Sequence, residues 1–133
     1  MRIRRTFLEK IIEQARAEFP DECCGILALS DGEATQVFPA ENVHHSPTRF
    51  EIDGRHVMRI QDEIDREGWE LGSLYHSHTK TAAYPSQTDV NFAANWPGMI
   101  WLIVSLEDFE QPSVRAFEIV DGNISERDVA IHD

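Results

Sequence analysis

The sequence predicts an α/β fold in which one mixed β-sheet is layered by about three helices. Three observations carry that expectation. Apolar residues recur at helical spacing in two segments, residues 7–18 and 55–67. Short apolar and β-branched runs bounded by Gly, Asp and Pro lie between and after them. One of these runs, Met99 to Ser105, is apolar at successive positions, the pattern of a central strand covered on both faces.

Taken in order, the first helix is expected from Phe7 to Glu18. Thr6 and Glu9 have capping-box spacing, Phe7, Leu8, Ile11, Ile12 and Ala15 follow with helical period, and Pro20 marks the stop. Cys24 to Leu29 reads as a strand closed by the turn signal Ser30-Asp31-Gly32, with Gln36 to Phe38 as its partner. Asn42 to Pro47 is polar and loop-like, and Phe50 to Ile52 is expected to be a short strand. Val57, Met58, Ile60 and Ile64 set a second helix from Arg55 to Glu67, ended by Gly68. Leu71 to Tyr75 is a strand running into His76. A loop from Thr79 to Pro85 leads to Ser86, an N-cap for a third helix reaching about Asn95. Beyond Pro97-Gly98 and the central strand, Ser113 to Val120 and Ile124 to Ala130 finish the sheet around the turn Asp121-Gly122-Asn123. With no linker, repeat or low-complexity tract, residues 1–133 are expected to form a single domain.

Composition narrows the function classes. A chain of 133 residues with 41% hydrophobic content builds a core without staples. Twelve Lys and Arg against 24 Asp and Glu give a formal charge of −12, which repels phosphate and argues against nucleic acid or an anionic membrane as partner. Cys23 and Cys24 are adjacent, a spacing that strains a mutual disulfide, and two cysteines without a framework point to a reducing compartment. The N-terminal segment lacks an uninterrupted apolar stretch and a small-residue cleavage site, and no run approaches the ~20 apolar residues of a membrane helix. A soluble cytoplasmic protein is expected.

The chemistry concentrates in His76-Ser77-His78 and, after seven residues, Ser86-Gln87-Thr88-Asp89. A His-x-His pair on a strand puts both rings on one face, because strand side chains alternate with period two. Taken alone, such a pair is most often two half-exposed residues, and Ser-x-x-Asp after a proline is first of all a helix-capping pattern. Their order changes the balance: the capped helix starts directly after the loop leaving the His pair, so the first-turn carboxylate of Asp89 can turn toward both rings. Two nitrogens and one carboxylate with a fourth position open to water is the donor set of catalytic zinc. Ser86 can cap the helix and still face the same cleft. Activating a water also needs a proton acceptor. Glu22, just before the strand from Cys24, serves if that strand lies beside the one ending at Tyr75, with Asp21 as a rival.

Glu22, His76-Ser77-His78, Ser86 and Asp89 together resemble the signature of the JAMM/MPN metallopeptidase family. The resemblance is to its small prokaryotic members, of the Mec type that acts on the CysO sulfur carrier. It extends to Pro20-Asp21-Glu22-x-Cys24-Gly25, Ser46-Pro47-Thr48, Tyr75 with the following HSHT-x-T, Ala83-Tyr84-Pro85-Ser86-x-Thr88-Asp89-Val90, and Ile119-Val120-Asp121-Gly122, and so covers nearly the whole chain. It implies a cytidine-deaminase-like sheet, one Zn2+ held by His76, His78 and Asp89, Glu22 as general acid/base, and Ser86 as hydrogen-bond donor to the tetrahedral intermediate. It also implies a substrate: a small ubiquitin-like sulfur-carrier protein cut after its C-terminal Gly-Gly, with cysteine released. Isopeptidase action on lysine-linked modifiers and a non-catalytic MPN scaffold are the alternatives. Thr79 stands where many ubiquitin-cleaving members of the family have proline, which sets this chain apart from that branch. A nucleoside deaminase is excluded because no Pro-Cys-x-x-Cys follows the His segment.

Weaker signals complete the reading. His44 and His45 read as a surface loop. Cys24 reads as a small buried residue at a strand start, with a redox-sensitive thiol as the other possibility. Trp96 and Trp101 are expected to pack the core or the base of the cleft, and Tyr84 is a candidate substrate contact.

Overall fold

A computed structural model describes residues 1–133. Eleven elements follow one another: β1 (Arg2–Arg4), α1 (Arg5–Glu18), β2 (Cys24–Ser30), β3 (Glu33–Ala40), α2 (Gly54–Glu67), β4 (Glu70–His78), α3 (Gln87–Ala93), β5 (Ile100–Ser105), β6 (Ser113–Val120), β7 (Asn123–Arg127) and β8 (Ala130–His132). The strands form one mixed sheet in the order β7-β6-β5-β4-β2-β3-β1-β8. β4 runs parallel to β5 and antiparallel to β2. The expected mixed sheet layered by three helices is therefore the fold observed.

Strand alternation sorts the core into two layers. Leu27, Leu29, Tyr75, Leu102 and Val104 face one way and pack with Leu8, Ile11 and Ala15 of α1. Ile26, Ala28, Leu74, Trp101 and Ile103 face the other way, under Ile60 and Ile64 of α2 and Ala93 of α3. β5 is buried on both faces from Trp101 to Ser105, as its apolar run predicts. Gly25 is required where it stands: a Cβ there would sit 2.2 Å from the Tyr75 ring across the β2–β4 ladder.

The two Asp-Gly signals close hairpins. Asp31 and Gly32 both have positive φ, and Ser30 pairs with Glu33, so the turn contains two residues. Asp121 and Gly122 do the same between Val120 and Asn123.

Several elements differ from expectation. No capping box starts α1: the helix begins at Arg5, its N-cap Arg4 makes no side-chain hydrogen bond, and Thr6 lies inside the first turn. Pairing decides that boundary, because β1 is held between β3 and β8 and runs directly into the helix. Phe50 to Ile52 is not a strand. Phe50 and Ile52 are buried, but the segment is tied to the preceding loop through Val43 and Asn42 rather than to a ladder. α3 stops at Ala93, two residues short of Asn95. The strand expected from Ile124 to Ala130 divides into β7 and β8, because the chain leaves β6 and crosses to the far edge of the sheet to pair with β1.

Candidate metal centre

β4 brings its two histidines to one face of the sheet, as the period-two argument requires. That face is the one covered by α2 and α3, and it is buried: His76 is fully inaccessible and His78 nearly so. Pro85 and Ser86 then lead into α3, where Ser86 and Asp89 form a full capping box. The Asp89 backbone N–H donates to Ser86 Oγ at 3.1 Å, and the Ser86 backbone N–H donates to Asp89 Oδ2 at 3.0 Å. The cap thus locks the Asp89 carboxylate at the helix start, and the same Oδ2 points at both rings.

Three donor atoms converge there. His76 Nε2 lies 3.2 Å from His78 Nε2 and 3.2 Å from Asp89 Oδ2, and His78 Nε2 lies 3.0 Å from Asp89 Oδ2. Zinc bonds of ~2.0–2.1 Å at tetrahedral angles set neighbouring donors ~3.3 Å apart. The triangle matches one face of such a tetrahedron, so these residues fit a divalent ion. His78 Nδ1 sits 2.9 Å from the Ala82 carbonyl, which favours a proton there and leaves Nε2 as the donor toward the ion. His76 is oriented by packing instead: its ring stacks on Phe50 at 4.5 Å and meets the edge of Trp101 at 5.8 Å.

Electrostatics follow from burial. Burial holds His76 below its ordinary value, against the pull of Asp89. For His78, burial is outweighed by hydrogen bonds to Asp89 and the Ala82 carbonyl, and the ring is raised. Burial works to raise Asp89 as well, but the two imidazoles and the Ser86 amide hold its carboxyl well below the usual carboxylate range.

Glu22 arrives from β2. Cys24 lies opposite His76 in the β2–β4 register, so the strand from Cys24 does lie beside the one ending at Tyr75. Glu22 is 3% exposed, and its Oε1 is buried with no hydrogen-bond partner. Burial pushes its carboxyl up to about 8, with His78 opposing and Asp89 adding to the rise. The rival is displaced: Asp21 lines a separate hollow with Gln14, Glu18 and Glu41.

Two hollows flank the centre. One, of about 360 Å3, is lined by Glu22, Thr48, His78, Lys80, Thr81 and Ser86. The other, of about 390 Å3, is lined by Asp89 together with Arg49, Phe50, Thr88, Asn91 and Asn95. Tyr84 lines neither: it is 48% exposed and packs edge-on to Phe117 at 5.4 Å, with the Arg115 guanidinium 5.7 Å from its ring centre.

Two residues shape this site without a motif to announce them. Asn42 is buried, and its Nδ2 donates to the carbonyls of Glu22 and Arg49 at 3.1 and 3.0 Å. Its Oδ1 accepts from the amides of His44 and Glu51. The signal was an asparagine opening a loop, where its side chain mimics backbone. Phe50, in a segment read as a strand, is the platform under His76. His44 stands in the expected loop and pairs with Glu51 at 3.0 Å. Trp101 lies in the core beneath the site and Trp96 is partly buried against it, as expected. Cys23 and Cys24 are buried and free. Burial pushes both thiols up, Cys23 to about 12, so Cys24 is a packed thiol and not a reactive thiolate.

Comparison with known proteins identifies the family of the chain. The chain is 33% identical over 131 residues to the CysO-cysteine peptidase of Mycobacterium tuberculosis, covering 97% of this chain and 89% of that one. It is 35% identical over 106 residues to a desampylase of Haloferax volcanii, covering 77% and 75%. A solved structure from Desulfitobacterium hafniense superposes with a TM-score of 0.89 at 27% identity, covering the whole of this chain and 94% of the other. A family model described as prokaryotic homologs of the JAB domain matches residues 5–120. The match takes in Glu22, the His pair and the capped aspartate alike, and the chain belongs to this JAMM/MPN family of JAB-domain proteins.

Proposed function

We propose that this chain is a zinc-dependent metallopeptidase that cuts after the C-terminal Gly-Gly of a small ubiquitin-like sulfur-carrier protein and releases cysteine. One observation carries the reading: the triangle of His76 Nε2, His78 Nε2 and Asp89 Oδ2 stands next to an unpartnered, buried Glu22 carboxyl. The naming of relatives as peptidases of CysO-cysteine and as desampylases supports the substrate class. A Gly-Gly arm suits a narrow cleft because it brings no side chains to collide with the walls. We place the protein in the cytoplasm, in keeping with its free cysteines; no helix is long and apolar enough to cross a membrane.

In this reading His76, His78 and Asp89 hold the ion. Bound zinc would supply Lewis-acid polarisation of the scissile carbonyl and lower the pKa of a water. Glu22 takes a proton from the attacking water and returns it to the leaving nitrogen. A buried carboxyl with no other partner, beside the three donor atoms, is free to serve both steps. Ser86 Oγ accepts from the Asp89 amide, which leaves its own hydroxyl proton free to donate to the oxygen that becomes negative. A donor of this kind is worth about 3 kcal/mol in other hydrolases.

The test is intact-mass spectrometry on a carrier ending Gly-Gly-Cys, incubated with zinc-loaded protein and with Glu22→Gln. Loss of one cysteine residue with the wild type alone supports the reading. No loss with either, from protein holding zinc, moves the assignment to a lysine-linked conjugate or to a scaffold.

A further inference from the structure

The hollow beside Glu22 bears on the leaving group. The group that protonates the departing nitrogen must be within reach of it, so the hollow lined by Glu22 is the side on which the leaving residue sits. Lys80 is the one lysine or arginine that lines the leaving-side hollow. Lys80 is exposed and makes no ion pair or side-chain hydrogen bond, although 24 acids are available in the chain.

The setting makes a cation there consequential. A free amino acid leaving through this hollow carries its α-carboxylate one residue from Glu22 and Asp89. In a protein of charge −12, Lys80 gives that carboxylate a positively charged side chain beside its path. A lysine side chain cut from a folded protein brings no such carboxylate. We infer that Lys80 binds the C-terminal carboxylate of the residue released, which makes this chain selective for substrates whose leaving group is a free amino acid and not an internal lysine. The inference rests on the metallopeptidase reading and deepens it by assigning a residue that recognises the leaving group. Thr81, which lines the same hollow, offers a hydroxyl to the other carboxylate oxygen.

The experiment uses two versions of one carrier, ending Gly-Gly-Cys as the free acid or as the carboxamide, with zinc-loaded wild type, Lys80→Gln and Lys80→Arg. The wild type should favour the acid roughly tenfold in kcat/KM, mainly through KM, as a charge-assisted contact at a partly hydrated site allows. That preference should shrink in high salt. Lys80→Gln should bring the acid-to-amide ratio close to one, and Lys80→Arg should keep it. Equal cleavage of both by the wild type, or an equal fall for both in Lys80→Gln, overturns the inference and leaves the peptidase reading intact. Absence of any cleavage sinks the peptidase reading. Binding then decides for Lys80. Zinc-loaded Glu22→Gln should bind the acid roughly tenfold tighter than the amide, and the Glu22→Gln, Lys80→Gln double variant should bind them alike. Equal binding in the single variant overturns the inference whatever the turnover.

Discussion

Cys23 and Ser77 are joined by two hydrogen bonds: the Cys23 amide donates to Ser77 Oγ at 2.8 Å, and the Ser77 amide donates to the Cys23 carbonyl at 3.2 Å. This clasp fastens the residue next to Glu22 to the residue between the two histidines. It sets the position of Glu22 relative to the two histidines through one backbone bond and the Ser77 hydroxyl, without involving the Glu22 or histidine side chains. Asn42 and the Ser46 carbonyl, which accepts from the Glu22 amide at 2.9 Å, hold the other side.

Ser77→Ala should therefore lower activity while the ion is retained. The variant leaves a buried amide without its partner, a cost of about 1–3 kcal/mol. Urea denaturation, metal content and turnover, measured on the same sample, check the three parts. Loss of metal would show that the clasp serves the histidines and not Glu22.

Asp89→Asn and Glu22→Gln should separate binding from chemistry. The first weakens a donor to the ion, and zinc affinity should fall on the order of 10–100-fold, comparable to losses seen around other zinc sites. The second should keep zinc at wild-type stoichiometry and lose nearly all turnover. Competition with a chelating dye reads affinity directly. Near-full turnover by Glu22→Gln would remove Glu22 from the proposed role.

Stability of the metal-free protein should depend on pH through Glu22. Its folded pKa of about 8 lies above the ordinary 4.5, so the fold favours the protonated carboxyl. The contribution is fully present below about pH 4.5 and is lost as pH rises toward 8. Over that window the loss is on the order of 4 kcal/mol. Glu22→Gln should remove this slope, so the difference in stability between the two proteins should grow from pH 4.5 to 8 and then level off. Parallel curves would mean that the carboxyl is better solvated than its burial implies.

Phe50→Ala should cost about 3–5 kcal/mol as a large-to-small change in a packed layer. Because the ring stacks on His76, zinc affinity should fall as well, whereas Phe50→Tyr or Phe50→Leu should retain most of both. Thermal melts with and without zinc separate the two effects. A stability loss with unchanged affinity would show that Trp101 suffices to orient His76.

Much of this was legible in the sequence because local rules and tertiary structure agree. The His pair, the Ser86–Asp89 cap, the Asp-Gly turns and the apolar β5 each depend on residues a few positions apart. Misreadings fell where a distant partner decides. Thr6 and Glu9 form a legitimate capping pattern, yet the neighbours of β1 place the helix start before them. Phe50 and Ile52 alternate as a strand would, but they are buried by side-chain contacts and an asparagine scaffold instead of a ladder. β8 could not be separated from β7, because its partner β1 lies more than a hundred residues away in the chain. The choice between Asp21 and Glu22 likewise needed the β2–β4 register.

The capping box of α3 has a consequence for how this motif is spelled. Asp89 stands third after Ser86 because a helix N-cap bonds to the third residue after it, a rule of backbone geometry that knows nothing of metals. An ion held by this group would take a ligand whose position the helix has already fixed. The spacing is therefore grammar before it is chemistry: an insertion between Ser86 and Asp89 would unpick a helix and dismantle the proposed ion site in one stroke.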